Sequence, residues 1–190
     1  MAAASGARTR DGQAAARLLA RLVIALLQAI ALLPAGAAAA APARQAGGVI
    51  QGTVTSVVDG DSLWITPDGG GKAIEVRLVG IDAPEICQAH GAESRAFLAQ
   101  LVAKKPVRLY RTGHDGWGRT LGRVYLGDVE LNRRLVEQGQ AWSQRWRWDN
   151  GPYVSQERIA RARSRGLHKA GSAAVMPRQF RLRHGPCRQP

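Results

Sequence analysis

At 190 residues the chain has room for one domain with extensions, and its 45% hydrophobic content permits a packed core. A formal charge of +13 points to polyanionic partners (nucleic acid, anionic membrane or acidic glycan) or to a basic protein with a solvated surface. The two cysteines have no CxxC spacing, which excludes that class of metal site.

The N-terminus reads as a secretory signal peptide over residues 1–41. Arg8, Arg10, Arg17 and Arg21 precede LVIALLQAIALL, an apolar run of 12 residues from Leu22 to Leu33. Pro34 and Gly36 break the run, and an alanine stretch with A-x-A character follows. The core is short for a membrane span of roughly 20 residues, so cleavage is expected to leave no membrane attachment. Periplasmic or secreted localisation follows from export. Residues 42–48 are a linker of mostly small residues.

Three strands joined by tight turns come next. Val49–Val58 is rich in β-branched residues, Asp59-Gly60 is a hairpin turn, and SLWIT is the second strand. Asp68 to Gly71 is another turn, and Ala73–Ile81 is the third strand, which Pro84 ends. Glu93–Ala103 has helical spacing. Pro106–Arg111 and RTLGRVYL are strands four and five. Glu130–Gln138 is a helix with Gly139 as its stop, and Ser155–Arg165 is a third helix. The pattern fits the α+β class, as a five-stranded OB-fold β-barrel with three α-helices. Domain boundaries fall at 49–169, and residues 170–190 read as a basic, irregular tail.

The carboxylates Asp59, Asp61, Asp82 and Glu85 lie near strand ends, which a three-strand meander brings to one end of the sheet. Such a cluster suits a hard cation with oxygen ligands. Taken singly, each is an ordinary turn or loop acid. Arg77 stands inside an apolar strand and Arg119 at the start of another. A guanidinium cannot shed its charge, so each needs an anion: a phosphate, or a structural ion pair with Asp82 or Glu85. A cation site, a spare carboxylate and two arginines together are the parts for hydrolysing a phosphodiester.

The motifs VVDGDSLWI, RLVGIDAPE and DGWGRTLGRVY, in this order, resemble the thermonuclease (staphylococcal nuclease-like) family over about Val49 to Leu167. The resemblance implies an OB-fold endonuclease that uses Ca²⁺ and cleaves DNA and RNA with little sequence preference, releasing 3′-phosphate ends. It implies Asp61, Asp82 and the backbone carbonyl of Ala83 as metal ligands, with Asp59 behind them. Glu85 becomes the general base, and Arg77 and Arg119 the phosphate-binding catalytic arginines. Trp117 either stacks on a base or packs in the core. Trp146 and Trp148 either replace the family's nucleotide-flanking aromatics or pack. His90 and His114 are read as exposed loop histidines. The alternative function is a non-catalytic OB-fold module that grips nucleic acid without cutting it. Monomer is the default state. Cys87 and Cys187 are expected to form a disulfide closing a loop of about 100 residues, worth roughly 4–5 kcal/mol in a chain-entropy account. Two free thiols are the alternative.

Overall fold

The computed structural model describes residues 48–185 and 187. The signal peptide and nearly all of the linker expected from the sequence lie outside the described residues.

The first strand, β1 (Val49–Val57), is long enough to serve two neighbours. Its start pairs with β5 (Pro106–His114) and its end with β2 (Ser62–Pro67), all antiparallel, with a bulge between Val54 and Ser56. Bulges increase bend and twist, which a closing sheet requires. β2 pairs with β3 (Ile74–Leu78), and β5 pairs with β6 (Thr120–Leu126). A parallel β3–β6 pairing closes the ring, giving a mixed five-stranded OB-fold barrel. The short β7 (Val129–Glu130) extends β6. A separate two-residue ladder joins β4 (Ile81–Asp82) to β8 (Trp142–Ser143).

Alternation along the strands fills the barrel. Leu63 and Ile65 of β2, Val76 and Leu78 of β3, Val107 and Leu109 of β5, and Val124 of β6 are buried. Arg77, between Val76 and Leu78, is therefore directed to the opposite face. Helix α1 (Gly91–Val102) adds Leu98 and Val102 to the core, and α2 (Leu131–Glu137) adds Leu131, Leu135 and Val136. Buried Asn132 ties α2 to the barrel: its Oδ1 accepts from Val124 N, and its Nδ2 donates to the Val79 carbonyl at 2.8 Å.

Helix α3 (Val154–Ala162) is fastened through Glu157, whose side chain is 2% exposed. Its carboxylate accepts from Ser143 N at 3.0 Å and from Arg145 and Arg161 at 2.7 Å each. Burial works to raise the Glu157 carboxyl, but the two guanidiniums outweigh it and hold it below the usual range.

Three expectations change. The third strand is not continuous to Ile81. Gly80 takes a positive φ of 75°, and the resulting turn separates β3 from β4. Helix α3 stops at Ala162 rather than Arg165. The tail is not wholly irregular: Pro177–His184 is a further helix, α4, so the described residues hold four α-helices rather than three. Pro177 occupies a first-turn position where proline costs no hydrogen bond, and the following Arg, Gln and Leu residues favour helix. Its exposed, basic face hid it from a periodicity search.

Glu157→Gln is expected to lower stability at neutral pH by roughly 1.5–3 kcal/mol, through loss of charge-assisted hydrogen bonds. Because the folded value is depressed, this contribution is present above the ordinary glutamate value of about 4.3. It is lost as pH falls through the lower folded value. Denaturant midpoints of both proteins should therefore converge in acid.

Candidate active site

Strand register assembles the site. Ser62 faces Arg77 across the β2–β3 ladder, so Asp61, just before the start of β2, lies beside the Arg77 guanidinium. Leu78 N donates to the Asp61 carbonyl at 2.8 Å, closing this corner. The turn before Asp61 is fixed by Asp59, whose Oδ1 accepts from Asp61 N at 2.9 Å. Gly60 is required there by close approach: a Cβ would stand 2.0 Å from Ser94 Oγ and 2.7 Å from the Ala83 methyl. The same crowding brings Ala83 N to Asp61 Oδ2 at 2.6 Å.

Arg77 binds both halves of the broken strand. Its Nη1 donates to the Leu78 carbonyl at 2.8 Å and its Nη2 to the Ile81 carbonyl at 3.1 Å. The same two nitrogens lie 3.0 Å from Asp61 Oδ2 and 3.4 Å from Asp82 Oδ1. Arg119 reaches the cleft from the loop between β5 and β6. Asp115 organises that loop, its Oδ1 accepting from Trp117 N and Arg119 N, and its Oδ2 from Arg119 Nε at 2.8 Å.

All the residues expected to carry chemistry (Asp59, Asp61, Arg77, Asp82, Ala83, Glu85, Trp117 and Arg119) line one cleft of about 460 Å³. Trp117 is 85% exposed, so it has no core role. Its ring lies 5.5 Å from the Arg119 guanidinium carbon, within cation–π range. Trp146 and Trp148 are also exposed, on a hairpin bridged at Trp146 and Asp149, and pack into no core. His90 is half-buried and hydrogen-bonds Gln140; neither His90 nor His114 lines the cleft.

Burial pushes the Asp61 carboxyl well above its usual range. Arg77 pulls it back, while Asp59 and Asp82 add to the rise. A buried, oxygen-only donor set of this kind fits a hard divalent cation, with Asp61, Asp82 and the Ala83 carbonyl as the residues that would hold it. Among the described residues, no three His, Cys, Asp or Glu side chains form a ready-made metal cage. Backbone oxygen and water would have to complete the shell.

Residues 75–170 match the family described as staphylococcal nuclease homologue. The chain belongs to the staphylococcal nuclease family. It is 39% identical over 128 residues to an uncharacterised endonuclease of Haemophilus influenzae, covering 67% of this chain and 71% of that one. It is 40% identical over 94 residues to an uncharacterised endonuclease of Escherichia coli O157:H7, covering 49% and 60%. It is 36% identical over 105 residues to a micrococcal nuclease of Shigella flexneri, covering 50% and 59%. The chain thus spans less than two thirds of the latter two relatives.

Two charged cleft residues of this family member escaped the sequence reading. Asp115 was visible as the first residue of DGWGR, an Asp-Gly turn in which an aspartate side chain can fold onto the backbone two residues on. Arg181 had no local signal. It comes from α4, and its Nη1 donates to Glu85 Oε1 at 2.6 Å and reaches Asp82 Oδ1 at 3.4 Å. A Cys87–Cys187 disulfide, with Cα atoms 5.8 Å apart, brings that tail to the loop after β4.

Asp61→Asn keeps an acceptor for Ala83 N and removes a buried charge. An acid with a raised folded value favours folding below that value and loses stability as pH rises toward it. The variant is therefore expected to melt higher than wild type at neutral pH in chelator. That advantage should shrink in acid, as thermal scans across pH would register.

Proposed function

We propose that this chain is an exported, metal-dependent endonuclease that hydrolyses DNA and RNA with little sequence preference and leaves 3′-phosphate ends. The reading is supported most by one observation: five acids and three arginines line a single open cleft whose rim carries an exposed tryptophan. Asp61, Asp82 and the Ala83 carbonyl would hold Ca²⁺. When bound, that ion supplies positive charge against a non-bridging phosphate oxygen.

The chain's own residues do the rest. Glu85 takes a proton from a water aligned with the scissile phosphorus, and the water oxygen forms the new bond to phosphorus. The bond from phosphorus to the 5′ oxygen breaks, and that oxygen leaves with a proton from solvent. Arg77 turns from its carboxylates to the phosphate, and Arg119 does the same from the other wall. Both meet the charge that builds on the equatorial oxygens. Trp117 offers a stacking face to a neighbouring base. The protein acts as a monomer, and binding rests on phosphate contacts, so it weakens with salt.

Purified chain incubated with single- and double-stranded DNA and with RNA is expected to cut in Ca²⁺ and not in chelator. Glu85→Gln and Arg119→Ala should each lower kcat/KM by about 10²–10⁴-fold. Binding without cleavage in every divalent metal tried would instead establish a nucleic-acid-binding module.

A further inference from the structure

We propose that the C-terminal helix completes the active site, with Arg181 as the positioning residue that holds Glu85 in the cleft. This rests on the nuclease reading above and extends it to a segment beyond the family match, which ends at residue 170.

Glu85 sits on the loop that follows β4, where no strand or helix fixes it. Its backbone N donates to Gln88 Oε1 at 3.2 Å, but among the described residues its carboxylate has a single side-chain partner, Arg181. A glutamate on such a loop samples several rotamers, and a general base must stay within hydrogen-bond reach of one water. Arg181 takes Oε1 at 2.6 Å, a charge-assisted bond, and leaves Oε2 for that water. The guanidinium also reaches Asp82, with Nη2 3.5 Å from Oδ2, so one fork registers the base against the neighbouring carboxylate. It cannot itself give up a proton at working pH, so it does not compete as the base.

An isolated ion pair with 41% of its arginine exposed would hold weakly. This pair is not isolated. Cys87, two residues past Glu85, is bonded to Cys187, six residues past Arg181. The same tail is tied twice more: Gln88 Nε2 donates to the Val175 carbonyl, and Arg145 reaches Met176 Sδ at 3.7 Å. Tethering at both ends keeps Arg181 at a high local concentration next to Glu85, which reduces the entropic cost of the pair.

The test uses the full chain as wild type, Arg181→Ala, Arg181→Lys and the exposed-helix control Arg178→Ala, with the disulfide verified by mass without reductant. Hydrogen exchange of the segment 84–91 is read first, then steady-state cleavage of single-stranded DNA in Ca²⁺. We expect faster exchange of that segment in Arg181→Ala. We expect a kcat lower by about 10- to 100-fold, with KM within about threefold. Arg181→Lys should recover part of kcat, and Arg178→Ala should match wild type. Reducing the disulfide in wild type should lower kcat in the same direction. Unchanged exchange, or a kcat in Arg181→Ala equal to or above wild type, overturns the proposal. Faster exchange with a wild type that cuts no nucleic acid keeps the clamp and overturns the nuclease reading instead.

Discussion

The site depends on the Arg77 guanidinium. Four groups converge on its two terminal nitrogens: the Leu78 and Ile81 carbonyls and the Asp61 and Asp82 carboxylates. The carbonyls fix the break between β3 and β4, and the carboxylates fix the mouth of the barrel. One cation therefore sets the backbone turn and the spacing of the acids together. Its side chain is only 15% exposed, so water screens these contacts weakly.

That arrangement conflicts with stability by design. Asp61 is buried beside two other acids, and burial, with their charge, lifts its carboxyl well above the ordinary range. Arg77 offsets part of the cost, and Ala83 N and Ser62 Oγ supply hydrogen bonds. A core built for stability alone would place an apolar residue here. Such local violations of the rules for a stable core mark functional sites. The disulfide, beside the Glu85 loop, and the Glu157 network, on the third helix, secure the parts that carry it.

Much of this was legible in the sequence because the relevant signals are local. β-Branched alternation gave the barrel strands, and VRLVGIDAPE places Arg77, Asp82 and Glu85 within ten residues of chain. Pairing of adjacent strands then brings in Asp61 with no further information. Arg181 was illegible because its partner Glu85 lies 96 residues away in sequence, and a basic tail helix without an apolar stripe resembles a solvated tail. Only the two cysteines hinted that the tail returns to the acidic loop. The break at Gly80 was missed for a different reason: the largely apolar run conceals a positive-φ turn whose hydrogen bonds come from residues outside it, the Arg77 and Asn132 side chains and the backbone of Gly122 and Gln144.

The central claim is that Asp61 and Asp82 exchange Arg77 for a divalent cation while Arg77 turns to a phosphate. The two ligands should then bind cooperatively, each removing the counter-charge the other needs. Isothermal titration of Ca²⁺, with and without a nonhydrolysable phosphonate-linked dinucleotide, measures this coupling directly. The account predicts that the dinucleotide tightens Ca²⁺ binding by about tenfold or more, and that Arg77→Lys removes most of the effect. Independent binding of the two ligands, or coupling left intact in Arg77→Lys, would contradict it.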